Sequence, residues 1–135
     1  MSIITHLSGT ATFSSWAEEP GWDSGAPTPR LAHATVVFEY RGDLEATSTC
    51  QSVMYYADGT TGVTVGLERV AGRLRGDDAS VVLQHAGTFG PDGVEIRWSA
   101  VPGSGTGALA GFVGAGGYAA AAHTKEWTWH LDEEG

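Results

Sequence analysis

The chain alternates apolar and polar residues with a period of two along most of its length, which is typical of β-strands that bury one face. The clearest example is the stretch 31–40, LAHATVVFEY, in which every even-numbered position is apolar or aromatic. The other face of that stretch includes His33, Thr35 and Glu39. No segment shows a convincing helical period, so the pattern predicts an all-β protein.

Clusters of Gly, Asp and Pro divide the pattern into about eight predicted strands. These cover residues 5–16, 31–40, 44–56, 62–74, 80–89, 94–101, about 112–120 and 125–131. Nearly all connections are hairpin-short, and about eight antiparallel strands can close into a barrel that is filled or holds one small ligand. We therefore predict one domain, residues 1–135, folded as a single antiparallel eight-stranded β-barrel, with a two-sheet sandwich as the alternative. The one long connection, 17–30, either crosses a barrel mouth or is a solvated loop.

Composition and charge exclude several kinds of partner. The formal net charge is −9, and the seven Lys and Arg form no basic run, so nucleic acid and anionic membranes are poor candidates. No apolar run approaches the roughly 20 residues that span a bilayer. Cys50 is the only cysteine, and residues 1–6 do not resemble a secretory leader. We therefore expect a soluble cytoplasmic protein without an internal disulfide.

The glycine-rich residues 101–120 contain the spacing Gly103-x-Gly105-x-x-Ala108, which is similar to a dinucleotide-binding loop. That interpretation requires a helix directly after the loop. Each further glycine, such as Gly111 or Gly114, would destabilise such a helix by roughly 1 kcal/mol relative to alanine. We therefore predict a glycine-rich hairpin in a curved sheet.

No motif indicates a metal or a cofactor, and we expect neither. The histidines show no HxH or HExxH spacing, Cys50 has no suggestive neighbour in the sequence, and the nucleophile motif GxSxG is absent. A metal site could be assembled only in three dimensions. The five histidines, each more often structural or exposed than functional, are His6, His33, His85, His123 and His130.

The most informative stretch is 65–89, where charged and polar residues occur within two predicted strands. Alternation places Glu68 on one face with Gly66 and Val70. If that face is inward, desolvation raises the pKa of the carboxyl group and suits it to proton transfer. The neighbouring strand then brings either Gln84 or His85 beside it. The alternatives are that Glu68 faces solvent, or that it only ties down backbone in the core.

Four segments of the chain together resemble the bacterial family called domain of unknown function 3224. They are GTATFSSW followed by Glu-Glu-Pro, then GLERVAGRL, VVLQHAGTF and VPGSGTGALAG, and the resemblance covers nearly the whole chain. The family has no general assigned activity, and its fold is similar to the small barrel of allene oxide cyclase. The resemblance implies an allene oxide cyclase-like, calycin-like barrel that needs no cofactor. Because allene oxide cyclase is a trimer, it also suggests a homo-oligomer, a dimer or a trimer.

Two classes of function fit these observations. In the first, the barrel is an isomerase or cyclase that holds a small hydrophobic substrate in an interior cavity. Glu68 is then the proton-handling or charge-stabilising group, and Gln84 or His85 is its hydrogen-bonding partner. In the second, the barrel binds a small apolar ligand without catalysis, or packs solid and serves as an oligomeric structural protein. An interior cavity of a few hundred Å³ that contains the Glu68 carboxylate would favour the first class, whereas an interior filled by side chains would exclude both catalysis and ligand binding. The predicted wall of that cavity consists of Phe38, Met54, Tyr56, Trp98 and Trp127.

Overall fold

The computed structural model describes residues 6–19, 27–121, 124 and 126–134. These residues form nine β-strands and no helix, so none of them belongs to an apolar helix of membrane-spanning length. The strands are β1 His6–Glu19, β2 Arg30–Gly42, β3 Leu44–Tyr56, β4 Gly62–Leu74, β5 Asp77–Gly90, β6 Gly93–Ala100, β7 Thr106–Gly107, β8 Gly114–Ala121 and β9 Glu126–Glu133.

Eight of the nine described strands form a closed antiparallel barrel in the order β1-β2-β3-β4-β5-β6-β8-β9. The ring closes because β9 pairs with β1, which places Leu131 opposite Leu7, and because β4 pairs with β5 along their full lengths. The two-residue β7 pairs with the start of β5 and lies outside the ring. The predicted eight-stranded barrel is confirmed, and the sandwich alternative is wrong.

Most strand ends lie within two residues of the prediction, and two ends differ by three residues for local reasons. Arg75 and Gly76 both have positive φ, 49° and 92°, which is the geometry of a two-residue type I′ hairpin turn. Asp77 therefore begins β5 instead of lying in the turn. Strand β1 continues to Glu19, because residues 10–19 contain neither glycine nor proline and the first proline is Pro20. Residues 20–26 of the long connection lie outside the described residues.

The glycine-rich segment 101–113 is irregular and closes one end of the barrel. Gly103, Gly107 and Gly111 have φ of +83°, +59° and +74°, which glycine adopts without steric cost. Leu109 and Phe112 of the same segment are buried in the core. Strand β8, and not a helix, follows the segment directly, so its glycines serve turns and the dinucleotide-binding interpretation does not apply.

The barrel interior is packed differently at its two ends. The closed end is the one covered by residues 101–113, where β5 begins, and large apolar side chains fill it. The open end is the opposite one, where β5 ends, and its interior is hollow. The buried residues of the closed end include Leu7, Leu44, Leu74, Val81, Leu83 and Leu131.

Candidate active site

A cavity of about 540 Å³ occupies the open end of the barrel. Its volume is within the range of about 300–1,000 Å³ that is usual for small-molecule sites. All eight barrel strands contribute to its wall, which is mostly apolar. Four of the predicted wall residues line it: Phe38, Met54, Tyr56 and Trp127.

Trp98, the fifth predicted wall residue, is buried but does not line this cavity. Its ring stacks on Tyr118 with 4.6 Å between the ring centroids, and its indole N–H donates to the backbone carbonyl of His130 at 3.0 Å. Trp98 therefore supports the inner side of Tyr118, which is itself a cavity residue.

The mouth of the cavity is held by a polar contact between β1 and β3. The Tyr56 hydroxyl donates to both carboxylate oxygens of Glu18, at 3.1 and 3.0 Å, and the Arg30 guanidinium lies 4.2 Å from the centre of the Tyr56 ring. Burial and the adjacent Glu18 carboxylate raise the pKa of Tyr56 to about 12. Tyr56 is therefore a neutral, fixed part of the entrance at neutral pH.

Three ionisable side chains form the floor of the cavity: Cys50 from β3, His85 from β5 and Tyr118 from β8. The Cys50 Sγ and His85 Nε2 atoms are 2.9 Å apart, which is hydrogen-bonding distance. Cys50 Sγ also lies 3.2 Å from the hydroxyl of Ser52. The floor is thus polar, whereas the walls above it are apolar.

Glu68 lies directly beneath this floor, with a side chain that is 0% exposed. Its carboxylate accepts hydrogen bonds from the Tyr40 hydroxyl, from the Ser48 hydroxyl at 2.5 Å and from the Tyr118 hydroxyl at 3.4 Å. His85 Nε2 is 3.9 Å from the nearer carboxylate oxygen. Glu68 points into the barrel, which is one of the two orientations that the sequence left open. Floor residues nevertheless separate its carboxylate from the cavity.

Burial shifts the pKa of each ionisable side chain in this group so that its neutral form is favoured. Desolvation raises the pKa of Glu68, and the hydroxyl donors Ser48, Tyr40 and Tyr118 partly oppose that rise. Desolvation lowers the pKa of His85 to about 4, and desolvation together with the nearby Glu68 carboxylate raises the pKa of Cys50 to about 12. At neutral pH the imidazole is therefore neutral and the thiol is protonated.

The raised pKa of the Cys50 thiol argues against an activated cysteine nucleophile. A nucleophilic cysteine requires a depressed thiol pKa and a histidine that is oriented through its second nitrogen. Here the Cys50 thiol and the Glu68 carboxylate both lie on the Nε2 side of the His85 ring. The arrangement indicates a thiol that orients the imidazole, with Nε2 accepting and the proton on Nδ1.

Two buried nitrogen atoms on cavity residues have no hydrogen-bond partner among the described residues: His85 Nδ1 and Trp127 Nε1. Both residues are at most 5% exposed. A buried polar group without a partner costs about 1–3 kcal/mol, so such atoms are unusual and call for an explanation. Both atoms are themselves shielded from solvent, so a hydrogen-bond acceptor on a ligand in the cavity would reach them only if neighbouring side chains shift.

Gln84 is on the outer surface of the barrel and does not approach Glu68. It is exposed, while its neighbour His85 is 3% exposed and inward, because successive side chains of a strand point to opposite faces. The pairing of β4 with β5 sets Gln84 opposite Leu67 on that outer face. Of the two alternatives for the partner of Glu68, only His85 enters the interior.

Cys50, Glu68 and His85 are also the one group of three metal-ligand side chains among the described residues, with ligand atoms all within 4.8 Å of one another. Sulfur and nitrogen ligands of a tetrahedral zinc ion would be about 3.5 Å apart, whereas the two atoms here are 2.9 Å apart. The Glu68 oxygens are also already hydrogen-bonded. The cluster has the geometry of hydrogen bonding and would have to open to hold a metal.

Several residues of this site were not identified from the sequence. Cys50 has no suggestive neighbour along the chain, but the pairing of β3 with β4 places it directly opposite Glu68. Ser48 on β3 and Tyr40 on β2 also point into the barrel, as Cys50 does. Tyr118 is the one large side chain in the strand GAGGYAAA, and that isolation among small residues was the available signal.

The fold and the site define a class of protein: a closed eight-stranded antiparallel barrel with an apolar cavity and an ionisable floor. The profile of the DUF3224 family, described as a protein of unknown function, matches residues 7–132. The chain belongs to this family, as its sequence motifs indicate.

A solved structure has the same fold. It is the crystal structure of a DUF3224 family protein of unknown function from Shewanella oneidensis MR-1, which is 24% identical and superposes with a TM-score of 0.74. The similarity covers 97% of this chain and 98% of that one. The search of curated proteins gave no match.

Proposed function

We propose that this protein is a cofactor-independent isomerase or cyclase that acts on a small, mostly apolar substrate bound in the cavity. One observation carries the proposal: an apolar-walled cavity of about 540 Å³ ends on ionisable side chains that are backed by a fully buried carboxyl group. Cavities that only bind apolar molecules have no need for a buried carboxyl group, whose desolvation costs free energy.

The substrate class follows from the walls and the unpartnered nitrogens. Phe38, Met54 and Trp127 offer apolar contact area, while His85 Nδ1 and Trp127 Nε1 lack an acceptor. The substrate is therefore a small apolar molecule that carries an oxygen acceptor, such as a ketone or an enone. Its oxygen points to the floor.

The chemistry assigns different roles to the floor residues. The neutral His85 imidazole donates from Nδ1 to the substrate oxygen, which stabilises the negative charge that develops when a neighbouring carbon loses a proton. The Tyr118 hydroxyl takes up that proton as it passes its own to Glu68, whose raised pKa suits it to hold one. The proton then returns to another carbon. The reaction is redox-neutral and consumes nothing, so it requires no cofactor.

The first experiment measures carbon–hydrogen exchange. The protein is incubated in D₂O with a panel of small apolar ketones and enones, beginning with cyclohexanone, and deuterium uptake next to the carbonyl is followed by NMR. We expect the wild type to accelerate the exchange, and we expect Glu68→Gln to bind the same molecules but to lose the acceleration. Gln84→Ala, on the outer face, is the matched control and should retain it.

One observation favours the non-catalytic alternative: Glu68 does not itself line the cavity. If cyclohexanone binds to the wild type but exchange is not accelerated for any bound ketone, the barrel is a binding protein. If Glu68→Gln retains full acceleration, Glu68 has no part in the reaction.

A further inference from the structure

The outer surface near the open end of the barrel carries a cluster of large apolar side chains. They lie on β2, β3 and β4, point away from the interior and are 41–64% exposed. Exposed apolar residues scattered singly need no explanation, but a contiguous cluster does. The six residues, called the outer apolar patch below, are Leu31, Val53, Tyr55, Val63, Val65 and Leu67.

Strand register makes the patch contiguous. Tyr55 of β3 is opposite Leu31 of β2 on one side and opposite Val63 of β4 on the other. In the next outward row, Val53 is opposite Val65. Directly opposite residues on one face of an antiparallel pair are within contact distance, so these side chains form one surface.

The patch exists because β4 reverses the usual pattern of a barrel strand. In its first half the outward residues are valine and leucine, whereas the inward ones are Thr64, Gly66 and Glu68. The inward polar residues belong to the cavity and the layer beneath it. The outward apolar residues are exposed among the described residues, although exposed apolar surface costs free energy in water.

The outer apolar patch carries no charged side chain, whereas the outer surface at the other end of the same strands carries several. No Asp, Glu, Lys or Arg lies on the outward positions of residues 31–35, 51–55 and 63–67. The outward positions toward the closed end include Glu39, Arg41, Glu45, Arg69 and Arg73. In a chain of net charge −9, an uncharged face is where two copies can approach with little repulsion.

We propose that the outer apolar patch is the interface of a homodimer, with the β3–β4 face of one copy against the same face of a second copy. The six side chains expose on the order of 600 Å² in total, the upper end of the patches found on typical monomers. With the uncharged residues of the same rows, such as Gln51, the face approaches the 800 Å² per partner of a stable complex. A two-fold axis requires one self-complementary surface, and an uncharged apolar face meets that requirement.

The experiment measures mass against concentration by sedimentation equilibrium. We expect the wild type to be a dimer at micromolar concentration. The double variant Val65→Lys, Leu67→Lys should raise the dissociation constant by about a hundredfold or more, because it places two charges in an apolar contact. The control, Thr47→Lys with Thr49→Lys, adds the same charge to exposed outward positions toward the closed end and should remain a dimer.

Circular dichroism and thermal unfolding verify that both double variants are folded. A wild type that is monomeric up to hundreds of micromolar overturns the proposal, as does a dimer that survives the Val65 and Leu67 substitutions. Both results are independent of the proposed catalytic function, which concerns the interior.

Discussion

The two halves of the barrel interior use the same alternating strands for different purposes. At the closed end, inward leucines and valines pack against Leu109 and Phe112 of the glycine-rich segment. At the open end, the inward positions of β3 and β4 include Ser52 and Thr64 and leave a cavity. Between the halves lies a buried polar layer centred on Glu68. The comparison indicates that the packed closed half stabilises the fold, whereas the open half packs less tightly and leaves room for a site.

The largest expected effect is in the closed half. Leu131→Ala should lower the free energy of unfolding by about 2–5 kcal/mol, because Leu131 is 1% exposed and its truncation leaves a void. Urea denaturation measures the change. A loss below about 1 kcal/mol would show that the closed half is not tightly packed.

Within the polar layer, His85 should contribute a loss of stability in acid, whereas Glu68, whose pKa is raised by burial, contributes in the opposite direction. Burial lowers the pKa of His85 to about 4, against about 6.5 in an unfolded chain. The contribution of His85 to stability is therefore fully present above pH 6.5 and is lost as the pH drops toward 4, because the unfolded state then binds a proton that the folded state does not. At about 1.4 kcal/mol per unit, the loss is about 3 kcal/mol.

Urea denaturation of the wild type and of His85→Gln between pH 4 and pH 7 tests this contribution. The free energy of unfolding of the variant should fall less in acid, because the variant lacks the imidazole. Thr49→Gln, at an exposed outward position away from the polar layer, is the control and should follow the wild type. Identical pH profiles for wild type and His85→Gln would mean that His85 is not buried in its neutral form.

Removal of one donor to Glu68 should have a somewhat smaller effect. Tyr40→Phe deletes the hydroxyl that donates to the carboxylate, and we expect a loss of about 1–3 kcal/mol, as for a buried hydrogen bond to a charged group. Tyr55→Phe removes the same atom from an exposed ring and should change stability by less than about 0.5 kcal/mol. Equal effects would show that the polar layer is not stabilised by Tyr40.

The smallest effect is expected at the cavity wall. Met54→Ala should lower the free energy of unfolding by about 1 kcal/mol, less than Leu131→Ala, because Met54 already faces empty space and its loss creates little new void. Urea denaturation compares the two variants directly. A loss as large as that of Leu131→Ala would mean that the open half is filled.

The sequence predicted the barrel because period-two alternation and short connections are local signals, present in strands such as 31–40. It did not resolve which face of β4 is inward. Apolar pattern alone would turn Val63, Val65 and Leu67 inward and expose Glu68, whereas the structure has the reverse. That choice is made by the pairing of β4 with β3 and β5, which no single segment contains.

The same limit explains which site residues could be predicted. His85 and Gln84 are adjacent in the chain, and only the strand phase separates the inward residue from the outward one. Cys50 becomes a site residue only through its register opposite Glu68. Residue types indicated proton-transfer chemistry, but the layer of hydroxyl donors around the carboxylate depends on four strands that meet in the barrel.

The central claim is that the open half of the interior is a binding site whose floor recognises an oxygen atom. The most direct test is a crystal structure of the protein soaked with cyclohexanone. We predict that the ring lies in the cavity against Phe38 and Met54, with its oxygen about 3 Å from His85 Nδ1. A cavity filled by its own side chains, or a bound ring whose oxygen points away from the floor, would contradict the account.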